Sequence, residues 1–172
     1  MEFRKEPQLR AARLVLRSME QRDEEAMTAL LTHPQVGKTY MVPQFASRAD
    51  AAALFQRLKA ISTDPSGFFY GIDWENRLVG IIHMVDSTER EAELGYAIHP
   101  DYCGKGVATE ALGAAMAALF RAGYEMVTAG AFEHNAASIR VMEKCGMERL
   151  EKEEMIPYRG MEHRCVYYGK HK

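Results

Sequence analysis

The sequence predicts one α/β domain over residues 1–172, a mixed, mostly antiparallel seven-stranded sheet with helices on both faces and one central parallel strand pair. Three observations predict it. The chain has 172 residues, the size of a single compact domain. Stretches of strand-like alternation and of helical spacing follow one another in the order β-α-α-β-β-β-α-β-α-β-β. In the middle of that order a strand, a helix and a strand are consecutive, which favours a parallel pair joined by a crossover. Helices on both faces then bury the helical stripes together with both strand faces.

Leu14 and Leu16 alternate with Arg13, Val15 and Arg17, as in a half-buried first strand. Ala26, Met27, Leu30 and Leu31 share one face of a first helix that His33-Pro34 stops; Leu54, Phe55, Leu58 and Ile61 repeat the pattern in a second. Ser47 followed by Asp50 resembles a capping box at the start of that second helix. Residues 68–73 and 78–85 are rich in aromatic and β-branched side chains, and the four residues between them suit a hairpin turn. In the strand over 91–99, Glu91, Glu93, Gly95 and Ala97 face one way and Ala92, Leu94, Tyr96 and Ile98 the other. Ala108, Leu112, Met116, Leu119 and Phe120 recur at helical spacing over 107–122, and Gly123 stops that helix. A strand over 126–132, a helix that Asn135 caps and that runs to about 145, and strands near 147–152 and 164–168 complete the order.

Composition removes several classes of function. With 47% hydrophobic and 27% charged residues, the chain is neither disordered nor a disulfide scaffold. Its longest nearly unbroken apolar run, 111–120, is half alanine and well short of the roughly 20 residues that span a bilayer. Charges interrupt residues 1–17 every few positions, so no secretory apolar segment is expected there, and the reading is a cytoplasmic chain without membrane contact. The three cysteines, Cys103, Cys145 and Cys165, have no metal-ligand spacing and read as reduced thiols. A net charge of −2 gives no general grip on nucleic acid, so a bound phosphate has to be held locally.

One segment offers such a grip. Cys103-Gly104-Lys105-Gly106-Val107-Ala108 lies between a strand and the long helix. Two glycines there bring backbone N–H groups to a helix start, where the helix dipole is positive, and Lys105 adds charge. An ordinary strand-to-helix turn can look the same. No GxxxxGK[ST] and no third glycine for GxGxxG occur, which removes the nucleotide-hydrolase and dinucleotide-binding readings.

The segment resembles the acyl-CoA loop of the GNAT N-acetyltransferases, Gln/Arg-x-x-Gly-x-Gly/Ala, with Thr109-Glu110-Ala111-Leu112 opening the helix behind it. Residues 135–147, NAASIRVMEKCGM, resemble the Asn-x-x-Ser…Glu-Lys-x-Gly-Phe segment of the RimJ/RimL-type branch, the ribosomal-protein N-terminal acetyltransferases. Nearly the whole chain shares the family's order of elements. Cys103 departs from the pattern at the Gln/Arg position and Met147 at the Phe.

The resemblance implies acetyl-CoA as co-substrate, with the pyrophosphate on the amides of Gly104, Lys105, Gly106, Val107 and Ala108, beside Cys103 and Thr109. It implies that the pantetheine arm lies along the backbone near Ile98, where two strands splay apart, with Asn135 next to it and Ser138 protonating the departing thiolate. Capping would equally account for Asn135 and Ser138. Glu93 is the candidate base, with Glu91, Glu133, His134 or a water chain as alternatives, and Tyr158 and Tyr167 could line the acceptor site. The implied reaction moves an acetyl group to a primary amine by direct attack and needs no metal. The alternative is a non-catalytic acyl-CoA sensor of the same fold. A monomer and a homodimer both fit. A helix start and Lys105 beside Cys103 predict an acidic thiol there, since both favour thiolate; a small buried filler is the alternative.

Overall fold

The computed structural model describes residues 5–172. Eight strands form one sheet among them, one more than expected: β1 (Gln8–Arg10), β2 (Leu14–Arg17), β3 (Phe69–Trp74), β4 (Arg77–Ser87), β5 (Glu91–Ile98), β6 (Met126–Phe132), β7 (Glu148–Tyr158) and β8 (Met161–His171). Their spatial order is β1-β2-β3-β4-β5-β6-β8-β7. Only β5 and β6 run parallel among the paired strands. The extra strand, β1, is three residues long with Leu9 alone buried, too short to show any alternation.

The helices are α1 (Glu24–Thr32), α2 (Val36–Thr39), α3 (Arg48–Thr63), α4 (Val107–Ala122) and α5 (Ala136–Lys144). At the start of α3, Ser47 and Asp50 form the expected reciprocal capping box, an arrangement in which the N-cap alone is worth about 1 kcal/mol. Of the expected stripe on α3, Phe55 is buried and Leu54 and Leu58 are partly buried, but Ile61 is exposed and Ala51 adds to the buried face. The one-turn α2 was not foreseen. It follows Pro34, where only five residues remain before the chain extends at Tyr40.

Two apolar layers cover the sheet. On one face α4 sets Leu112, Leu119 and Met116 against Leu14, Tyr70, Ile82, Leu94 and Val127. On the other, Met27, Leu30 and Phe55 of α1 and α3 pack on Phe69, Leu78, Ile81 and Ala97. The β3–β4 hairpin turns on two residues rather than four. Glu75 and Asn76 both take positive φ, 53° and 64°, the backbone twist that a two-residue hairpin requires. Among the described residues no helix is long and apolar enough to cross a membrane.

The β7–β8 hairpin is much longer than the alternation indicated, eleven residues in each strand. β7 is the sheet edge, and none of its residues is fully buried, so its sequence carries no apolar face to read. Its charges and Pro157 suit an edge that must resist pairing with other chains.

Candidate active site

The parallel pair is incomplete. β5 and β6 pair from Glu91 opposite Met126 to Leu94 opposite Ala129, after which each stays with its other neighbour. Ile98 remains opposite Gly80 on β4, and Phe132 opposite Cys165 on β8. The two strands therefore open into a wedge, which leaves the β6-facing backbone edge of residues 95–98 without a strand partner. Such an edge can pair with an extended ligand.

The wedge leads to the start of α4. A 3₁₀ turn, Pro100–Tyr102, takes the chain off β5, and Gly104 and Gly106 then adopt left-handed φ of 74° and 80°. Gly106 is the N-cap of α4, a position at which a side chain would strain the backbone. The first N–H groups of an α-helix have no partner inside it and point outward at the positive end of the dipole. Arg13 braces this loop. Its guanidinium donates to the Lys105 carbonyl at 3.0 Å and to the Glu110 carboxylate at 2.8 Å. Leu14 N at the start of β2 also donates to the Glu110 carboxylate, at 3.2 Å.

Two side chains differ from expectation here. Lys105 Nζ donates to the Asp101 carbonyl at 2.8 Å and lies over the Tyr102 ring. Cys103 Sγ faces the carbonyls of Ile98 and His99, at 3.8 and 3.7 Å. Carbonyl oxygens disfavour a thiolate, and burial pushes the Cys103 thiol up. The expected acidic thiol is thus overturned, because the sulfur looks back along the strand rather than toward the helix amides.

Asn135 caps α5, its Oδ1 accepting from Ser138 N at 3.2 Å. Ser138 Oγ lies 2.8 Å from the Tyr96 hydroxyl, which reaches up from the open end of β5. Burial pushes Tyr96 up to about 12. Tyr96 was read only as a strand residue, since nothing in the local sequence marks a partner 42 positions away.

Glu93 projects from β5 toward the opposite face. Burial raises its carboxyl above the usual range, opposed by Lys152, whose Nζ lies 3.6 Å away. Tyr167 lies nearby, its hydroxyl donating to Glu154 at 2.8 Å. Of the alternatives to Glu93, Glu91 is exposed at the closed end of the β5–β6 pair, and Glu133 faces Arg164 at 3.9 Å. His134 lies against Phe132 and His163, with ring centroids 5.7 Å away in each case. Tyr158 anchors the hairpin tip to α2, donating to the Gly37 carbonyl at 2.8 Å.

The open strand pair feeds a glycine-lined helix start, the arrangement that the resemblance to the acetyltransferases implies. The chain belongs to the acetyltransferase (GNAT) domain family, whose model matches residues 13–148. It is similar to the uncharacterized N-acetyltransferase YoaA of Bacillus subtilis, 30% identical over 148 residues that cover 83% of this chain and 84% of that protein. Among solved structures it resembles a GNAT-family acetyltransferase from Bacillus anthracis, at 26% identity and TM-score 0.82, with 95% of this chain and 98% of that one covered. The fold is shared too by RimL, a ribosomal L7/L12 alpha-N-protein acetyltransferase solved in complex with coenzyme A, at 18% identity and TM-score 0.81 over 95% of this chain and 97% of that one.

Proposed function

We propose that this protein transfers an acetyl group from acetyl-CoA to a primary amine, either a protein N-terminus or a small-molecule amine, by direct attack in a ternary complex. The wedge between β5 and β6, ending at the start of α4, is the observation that carries this reading. In it the pyrophosphate rests on the amides of Gly104, Lys105, Gly106, Val107 and Ala108, with Thr109 in the first helical turn behind them. The pantetheine arm pairs with the free edge of β5 near Ile98 and passes Asn135. These are backbone tasks, so Cys103 in place of Gln or Arg costs a single side-chain contact.

Acetyl-CoA supplies an activated acyl group whose leaving thiol has a pKa near the ordinary thiol value of about 8.5. Protonating that thiolate therefore adds little, and Ser138 assists it. The amine is the harder partner. An α-amino group near pKa ~8 or a lysine near ~10.4 is mostly protonated at neutral pH and must lose a proton before it can attack. Glu93, a half-buried carboxylate on the strand that leads to the wedge, accepts it. Reduced-thiol cysteine usage accords with action in the cytoplasm.

Free-thiol release from acetyl-CoA, measured over a panel of peptide N-termini and small amines, tests the reading. Amine-dependent release with a matching mass gain of one acetyl group is expected. Tight CoA binding with no release above background for any amine would support the sensor alternative instead.

A further inference from the structure

His83 on β4 lies opposite Gly95 on β5, on the face to which Glu93 also points. Its imidazole and Val85 together close over Gly95, where a Cβ would stand 2.9 Å from Val85 Cγ2 and 3.2 Å from His83 Nε2. The ring stacks on Phe69, with centroids 5.3 Å apart. Nδ1 lies 3.2 Å from the Met84 carbonyl and Nε2 lies 2.6 Å from the Tyr40 hydroxyl. A carbonyl oxygen only accepts, so Nδ1 carries the ring proton. Burial lowers the His83 pKa and keeps the ring neutral, so Nε2 presents a lone pair and Tyr40 donates to it. Burial also holds the Tyr40 phenol above its ordinary value, so it keeps its proton.

The Tyr40 oxygen still has acceptor capacity. Among the described residues its single hydrogen bond is the one to His83. A half-buried oxygen with unfilled lone pairs, backed by a neutral imidazole, is a ready partner for an N–H donor. Gly95, opposite His83, begins the stretch of β5 that has no partner in β6.

We propose that Tyr40 and His83 form a proton relay for the acceptor amine as it attacks beside Gly95. This role rests on the acetyl-transfer reading above. Two protons must leave an ammonium acceptor on its way to an amide. Glu93 takes the first and frees the nitrogen lone pair. That pair then forms the N–C bond, and the C–S bond breaks with its electrons leaving on sulfur as thiolate. The second proton passes from nitrogen to the Tyr40 oxygen while the Tyr40 proton moves to His83 Nε2. The imidazolium then returns its proton to solvent, and the pair is restored.

Tyr40→Phe, His83→Gln and the double variant test this in the whole enzyme, with the amine that turns over in the thiol-release panel. Tyr40→Phe keeps the ring and its packing, yet should lower kcat on the order of 10²-fold, the usual worth of a positioned proton acceptor. Both KM values should stay within about twofold, and the double variant should be no worse than His83→Gln, because a relay acts as a unit. Nitrogen-15 NMR of the imidazole at pH 7 needs no turnover; it should show the Nδ1–H tautomer with a hydrogen-bonded Nε2 that changes in Tyr40→Phe. An Nε2–H tautomer or an imidazolium at pH 7, or a Tyr40→Phe enzyme with unchanged kcat, would overturn the relay. A wild-type enzyme silent with every amine would instead overturn the acetyl-transfer reading itself.

Discussion

The Tyr96 hydroxyl lies 2.8 Å from Ser138 Oγ, tying the open end of β5 to the first turn of α5. The same hydroxyl lies 3.3 Å from the Ser138 carbonyl, so Ser138 is held on two atoms by one strand residue. Since Tyr96 is pushed up to about 12, the pair stays neutral through the physiological range. It can offer a neutral O–H hydrogen bond to a departing thiolate, whereas full transfer of its proton would leave an anion on the pair.

Ser138→Ala should therefore lower kcat only modestly, by about tenfold or less, because a thiolate near pKa ~8.5 leaves acceptably unaided. Tyr96→Phe should cost a similar factor, and the double variant little more. Steady-state thiol release measures all three. A loss beyond a thousandfold for Ser138→Ala would mean that protonating the leaving group limits the reaction.

Glu93→Gln should lower kcat/KM on the order of 10²-fold, most at low pH where the amine is fully protonated, and leave CoA affinity nearly unchanged. Its stability effect runs the other way. Burial raises the Glu93 carboxyl, so the folded chain binds more protons than the unfolded one between the ordinary and the raised value. Stability then falls as pH rises through that interval, and above it the folded state bears a poorly solvated charge. The partner Lys152 is half exposed and returns little. Thermal melts at pH 8 should show Glu93→Gln with a Tm equal to or above that of the wild type. A lower Tm would mean that the Lys152 pair outweighs the burial.

Much of this fold was legible in the sequence, and the gaps have physical causes. The bounds of α4 were readable because Gly106 and Gly123 both take left-handed φ at its ends and an apolar stripe lies between them. β6 was readable because its strand composition fills 126–132 between Gly123 and the cap at Asn135. β1, α2 and the second half of β7 were not readable. Each has too few buried side chains to leave a period, and pairing across the sheet, rather than composition, decides that it forms. In the candidate site, the glycine loop and the Asn135 cap are local features of the chain. The partners Tyr96, His83, Tyr40 and Arg13 act across gaps of 42 to 97 positions, which no local spacing reveals. Cys103 follows the same logic: its place in the chain sets it beside the helix start, but its rotamer aims the sulfur at the carbonyls of Ile98 and His99.

Alkylation maps that environment. Cys103 is exposed, Cys145 intermediate and Cys165 buried, and burial raises all three thiols. Cys103 should label first, slowly at pH 7 and faster as pH rises above the ordinary thiol value. Acetyl-CoA should protect it by covering the loop. Peptide mapping by mass spectrometry reads both effects, and equal labelling of Cys103 with and without acetyl-CoA would separate it from the cofactor.

Calorimetric titration of acetyl-CoA into the wild-type protein and Gly106→Val tests whether the α4 loop holds the pyrophosphate. A β-branched residue at φ 80° strains the backbone by about 1–2 kcal/mol and puts a side chain into the loop that is assigned the pyrophosphate. A single site is expected on the wild type, and at least tenfold weaker binding for Gly106→Val in a variant that still melts cooperatively. Undiminished affinity in that folded variant would place acetyl-CoA elsewhere and contradict the assignment of the loop.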